Sequence, residues 1–125
     1  MKIRVGTFNL FQFVEPPYSW YVKKDKFTSS QWEEKTAWIK NQIIKMDCDI
    51  IGFQEVFSAP ALEKILLDLG YKYFQTVQTA KTNEENEKVY ITTTVALASK
   101  FPITEIQNVE PNITSIKKAI IKLFL

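Results

Sequence analysis

The chain has 125 residues, 46% of them hydrophobic and 24% charged, with a formal net charge of +2. That length suits one domain burying roughly two-thirds of its unfolded surface, and the balance is ordinary for a globular chain. The densest basic cluster, Lys23-Lys24-Asp25-Lys26, is interrupted by an acid and reads as a solvated face, so composition gives no warrant for nucleic acid.

Two residue counts exclude more. Cys48 is the only cysteine, which rules out an internal disulfide or a cysteine zinc cluster. Histidine is absent, so a Ser/His/Asp triad, a Cys/His pair or a histidine metal site cannot be built from this chain alone. Met1-Lys2-Ile3-Arg4 leads directly into a strand pattern, with no signal-peptide core and no apolar run of membrane length. A cytoplasmic location is the expectation.

In chain order, Ile3, Val5, Thr7 and Asn9 alternate with Arg4, Gly6 and Phe8, predicting a first strand that ends at Asn9. Residues Phe11 to Ser29 follow as a long irregular segment holding Pro16-Pro17, Tyr18, Trp20, Tyr21 and Phe27. It reads either as a functional lid or as a ring-lined cover for the rim of the core. Ser30-x-x-Glu33 predicts a capping box, and Trp32, Ile39, Ile43 and Met46 share one face of the helix behind it. That helix ends near Met46.

Asp49-Ile50-Ile51-Gly52-Phe53-Gln54-Glu55-Val56 is a short apolar run closing on a carboxylate, the pattern of a buried strand. Strand, helix, strand predicts a right-handed βαβ crossover that makes Asn9 and Glu55 neighbours. Ligands gather outside the carboxyl ends of such strands, and a buried carboxylate is costly unless it is paired, protonated or metal-bound. From this stretch alone two readings of Glu55 stay open. It either caps the next helix or meets a lysine from elsewhere, or it binds a metal.

A second helix is capped by Ser58, carries Pro60 in its first turn and Leu62, Ile65, Leu66 and Leu69 on its apolar stripe, and stops at Gly70. The period then changes to two. Strands are predicted over Tyr71 to Val77 and Val89 to Ser99 around the polar loop Thr79 to Lys88. Phe101-Pro102 turns the chain, Ile103 to Val109 is expected to pair back antiparallel, and Pro111-Asn112 breaks it again. The last strand, Ala119 to Leu125, runs to the end of the sequence, which reads as a truncated chain.

Three stretches together carry a resemblance: Thr7-Phe8-Asn9-Leu10, then Asp49 to Val56, then Val95-Ala96-Leu97-Ala98-Ser99-Lys100-Phe101-Pro102-Ile103. In order and spacing they resemble the endonuclease/exonuclease/phosphatase superfamily of Mg²⁺-dependent phosphoesterases. The aromatic insert followed by Gln31-Trp32-x-x-Lys35 resembles an uncharacterised bacterial branch. The implied fold is α/β (an α+β sandwich). Residues 1–125 would form a single domain, the N-terminal half of a four-layer α/β/β/α sandwich, with one mixed sheet and two helices on one face.

The resemblance implies Glu55 as the ligand of a catalytic Mg²⁺, with Mn²⁺ as the alternative ion. It implies Asn9 beside it, supporting the metal or contacting a phosphoryl oxygen, and Gln54 in the supporting surroundings. The implied activity is phosphoester hydrolysis (phosphodiesterase, nuclease or phosphatase), on nucleic acid or a small phosphodiester. The superfamily's water-activating histidine has no counterpart here, so the chain alone is expected to be inactive. Thr94 stands where the superfamily usually has glycine, which leaves the local packing there in question. The partner implied is a C-terminal half, or a second copy, packing on an exposed apolar sheet face. The alternative is a non-catalytic binding module of the same fold acting through that face.

Overall fold

The computed structural model describes residues 2–109 and 118–123. The elements are β1 (Val5–Phe13), β2 (Ser19–Trp20), α1 (Ser29–Met46), β3 (Ile50–Val56), α2 (Ala59–Asp68), β4 (Tyr73–Thr76), β5 (Val89–Tyr90), β6 (Thr94–Ser99), β7 (Ile103–Val109) and β8 (Lys118–Leu123). Four strands make one mixed sheet in the order β1-β3-β6-β4. β1 and β3 are parallel, as the crossover requires, while β6 runs antiparallel to both β3 and β4.

Alternation along these strands sorts the sheet into two faces. Phe8, Phe53 and Ala96 share one register row, and Ile51 and Ala98 lie in the next row on the same face. They join Ile39 and Ile43 of α1 and Leu62, Ile65 and Leu66 of α2 in one buried cluster. Both helices therefore cover the same face. Burying such side chains is worth roughly 1.5–3 kcal/mol each, so this layer carries most of the fold's stability. At Gly6, where α1 ends over β1, a Cβ would lie 2.7 Å from Met46 Cε and 2.8 Å from Cys48 Sγ, so those side chains would have to shift to admit one. Gly70 closes α2 in the left-handed region at φ 95°, which its missing side chain allows.

The face away from the helices is mixed rather than apolar. Thr7, Gly52, Leu97 and Gln75 form one register row across it, with Asn9 paired to Gln54 in the next. The alternation expected from the sequence holds, but β1 and β3 place polar side chains on that side.

Other boundaries also differ from the sequence reading. The helix cap is Thr28, not Ser30: its Oγ1 accepts the Gln31 N–H while Gln31 Oε1 accepts the Thr28 N–H. The Ser/Thr-x-x-Glu/Gln pattern fits both places, and the earlier one wins because the Thr28 carbonyl already accepts from Trp32. Ser58 sits at the N-cap of α2 without a side-chain cap bond, since its hydroxyl accepts the Glu15 N–H. The expected Tyr71 to Val77 strand is the shorter β4. The long Val89 to Ser99 strand is broken at residues 91–93, whose polar groups turn elsewhere. Ile91 donates to the Lys81 carbonyl and Thr93 Oγ1 to that of Val56. Nor does β7 pair back on β6, whose two edges are taken by β3 and β4, and it pairs with β8 instead. The Pro111-Asn112 break and the final Phe124-Leu125 lie outside the described residues.

The aromatic insert is a cover built of rings. Tyr18 lies 5.2 Å from Tyr90, Tyr21 lies 5.7 Å from Phe57, and Phe27 stacks between Trp20 (4.9 Å) and Trp32 (6.2 Å), centroid to centroid. The two-residue β2 ties the insert to β5 in parallel. No helix among the described residues is long and apolar enough to cross a membrane.

Tyr71 pins the start of β3 from the far side of the core. Its hydroxyl donates to the Cys48 carbonyl at 2.5 Å, and burial pushes its pKa from 10.0 up to about 12. A pKa raised by folding means the protonated phenol is favoured in the native state. That stability is complete below pH 10 and is lost as pH climbs toward about 12. Tyr71→Phe should cost about 1 kcal/mol at neutral pH and should remove this alkaline loss, as read by urea unfolding at neutral and alkaline pH.

Candidate functional site

The candidate site lies where β1 and β3 end side by side, at the carboxyl ends of the parallel pair. Regular alternation would send Glu55 back toward the helices with Ile51 and Phe53. The chain avoids this with a bulge. The β3–β6 register shifts between Phe53 and Val56, Glu55 takes φ 59°, and Val56 fills the core position instead. One carboxylate is thereby pushed out of the ladder, the local bend that bulges supply.

β1 makes a matching departure. Its register with β3 shifts between Asn9 and Phe13, with Phe11 at φ 50° and Gln12 at φ 58°. Leu10 and Phe13 stay buried on either side. Three non-glycine residues in the left-handed region meet at this one spot, each costing about 1–3 kcal/mol of backbone strain. Such a cluster persists only where side chains hold it.

The holding contacts converge on Glu55. Its Oε2 accepts the Gln12 backbone N–H at 2.9 Å, and its Oε1 receives the Asn9 Nδ2–H at 3.5 Å. The other end of the Asn9 amide accepts the Phe11 N–H at 2.9 Å. Asn9 and Glu55 are thus brought together as the sequence suggests, with Asn9 holding the carboxylate through its amide nitrogen. Gln54 faces Thr7 instead, donating to its Oγ1 at 2.9 Å and accepting from it at 3.2 Å. It braces β1 against β3 one step from the site.

From α1, Lys35 reaches the same place. Its ammonium donates to the Phe11 carbonyl at 2.7 Å and lies 5.7 Å from the Phe11 ring centre and 5.2 Å from that of Phe27. Burial lowers its pKa from the usual lysine value, and the charge on Glu55 works against that shift. Phe11 itself is 67% exposed.

The donor set fits a hard cation held sparingly. Mg²⁺ is usually bound through one or two carboxylates, with waters and substrate phosphate oxygens completing its octahedron. A half-buried carboxylate at an open strand end offers that much. Among the described residues no group of three or more His, Cys, Asp or Glu gathers, so a closed protein cage is not on offer.

No protein-family model matches the chain, and neither does any curated protein sequence. Among solved structures it is similar to the crystal structure of an endonuclease/exonuclease/phosphatase from Beutenbergia cavernae DSM 12333. That likeness has a TM-score of 0.51 at 14% identity, covering 97% of this chain and 33% of the other. The fold is an endonuclease/exonuclease/phosphatase fold. The chain spans a third of the length of that structure. The mixed sheet with both helices on one face is the piece of that fold seen here.

Thr94, whose packing the sequence left in question, lies outside the left-handed region. It is buried at the start of β6, where its Oγ1 accepts the Gln78 N–H and donates to the Val95 carbonyl. Lys35 and the Gln12 amide are the contributors that sequence reasoning missed. The Gln12 N–H leaves no trace in sequence, because every residue but proline has one. Lys35 did leave a signal. It sits between Trp32 and Ile39 on the apolar stripe of α1, a place where a lone cation calls for a partner.

Gln12→Gly keeps the N–H on Glu55 and removes the left-handed strain, so it should be neutral or stabilising by up to about 1 kcal/mol. Gln12→Val, β-branched at positive φ, should destabilise by about 1–2 kcal/mol in the same urea titration.

Proposed function

We propose that this chain carries the metal-binding part of a Mg²⁺-dependent phosphoester hydrolase, with Glu55 as the ligand and Asn9 as the amide that orients it. The observation that carries this reading is the extrusion of Glu55 from a buried strand by paired bulges, into the company of Asn9 and the Gln12 N–H. A structural ion pair has no need of three strained residues, whereas a site that must hold one carboxylate still does.

A Mg²⁺ ion bound at Glu55 supplies Lewis-acid polarisation of a phosphoryl oxygen. Glu55 contributes negative charge, and the Gln12 and Asn9 N–H groups keep its carboxylate in one orientation. Lys35 stands beside the site with its ammonium bonded to the Phe11 carbonyl. In the superfamily that the chain resembles the base that activates water is a histidine, and this chain has none to supply. The chain alone is accordingly inactive, and the whole protein completes the site from a second sheet packed on the face carrying Thr7, Gln54 and Gln75. Mn²⁺ suits the same oxygen ligands. The substrate is a nucleic acid or a smaller phosphodiester.

In the whole protein, Glu55→Gln should leave the fold intact and reduce Mg²⁺-dependent hydrolysis of bis(p-nitrophenyl) phosphate below about a tenth of the wild-type rate. Asn9→Ala should lower the rate while raising the Mg²⁺ requirement less than Glu55→Gln does, since a neutral amide orients the ligand without supplying its charge. A Glu55→Gln protein of near wild-type rate would remove Glu55 from the chemistry.

A further inference from the structure

We propose that Lys35 is a positioning residue for Glu55, acting through the Phe11 carbonyl to hold the left-handed turn that aims the Gln12 N–H at the carboxylate. The inference rests on reading Glu55 as the centre of the site and adds a residue of α1 to it.

Phe11 and Gln12 are consecutive, neither is glycine, and both lie at positive φ. Such a pair relaxes to extended backbone unless contacts on each side forbid it. On one side the Asn9 side chain accepts the Phe11 N–H. On the other, Phe13 is wholly buried and back in register with Val56. Between these anchors the Phe11 carbonyl would be free to swing, carrying the next N–H with it, because the two groups belong to one peptide plane. Lys35 stops that swing. Its ammonium donates to this carbonyl at 2.7 Å, and a charge-assisted bond of that length is among the stronger hydrogen bonds in proteins. The N–H of the same peptide plane is the one that Glu55 Oε2 accepts at 2.9 Å. One planar peptide thus joins the ammonium to the carboxylate, and fixing either end fixes the other.

The surroundings of the ammonium favour positioning over substrate contact. The rings of Phe11 and Phe27 flank it, and its strongest contact is spent on the backbone. The helix that carries it is anchored by the buried Ile39 and Ile43, so the reach of the side chain is set from the core.

Amide hydrogen exchange followed by NMR tests this in the chain without metal or substrate. Lys35→Met keeps the stem and removes the ammonium, and Lys35→Arg keeps a charged donor. Expected in Lys35→Met is exchange at Gln12 faster by about tenfold or more, with Ile51 and Phe53 of β3 unchanged, and with most of the protection regained in Lys35→Arg. Three results would overturn the proposal. They are an unchanged Gln12, a rise confined to the insert amides Trp20 and Val22, and a uniform rise or loss of fold that makes Lys35 a general structural residue. In an active whole protein, Lys35→Met should lower kcat with KM unchanged, and a raised KM with Gln12 still protected would make Lys35 a substrate contact instead. The exchange result stands or falls without hydrolysis, so a whole protein that proves inactive would refute the hydrolase reading and leave this one decided.

Discussion

A β-strand has two sides and no third direction, so a carboxylate at the end of a buried strand must either enter the core or leave the ladder. In this chain it leaves. β3 spends one residue on a bulge, keeping Val56 in the core while Glu55 turns to the rim. β1 spends more, since Asn9 and Phe13 pair with Gln54 and Val56 while Leu10 to Gln12 face a single residue. The two departures fit each other, because the N–H released by one is accepted by the carboxylate released by the other.

The rest of the molecule is arranged to keep that meeting point in place. The parallel pairing of β1 and β3, enforced by α1 crossing between them, brings the two strand ends together. α1 then returns Lys35 to the same spot, while Gln54 and Thr7 lock the strands one residue earlier. The aromatic insert packs Phe27 against Trp32 and the ammonium of Lys35, so its rings shield the helix side of the site. Outside this centre the face is mixed, with Thr7, Gln54 and Gln75 beside Leu97. A divalent ion and an anionic ester would meet a single carboxylate held from behind, with room for the remaining ligands to come from water, substrate or further protein.

Much of this was legible in the sequence because the strongest signals were periodic. The stripe Ile39, Ile43, Met46 and the run Ile50 to Phe53 specified the crossover, and the crossover alone made Asn9 and Glu55 neighbours. What sequence could not give was the conformation that makes them touch. A bulge changes the count of residues between two core positions by one, and Phe53 to Val56 looks like an unbroken strand until a partner is laid beside it. The left-handed turn at Phe11 and Gln12 carries no glycine to announce it, since tertiary contacts rather than local preference impose it. Competition explains the remaining differences. Two capping patterns overlapped at Thr28 and Ser30, and β7 lost its expected partner because β6 was already paired on both edges.

The central claim is that Glu55, held by the Gln12 and Asn9 N–H groups, is the point where a divalent cation binds. Its most direct test is a crystal of the chain soaked in Mn²⁺ and measured for anomalous scattering. Expected is a manganese peak within bonding distance of a Glu55 carboxylate oxygen, absent from a Glu55→Gln crystal treated alike. A crystal that takes up manganese only at other carboxylates, with Glu55 still bound solely to Gln12 and Asn9, would contradict it.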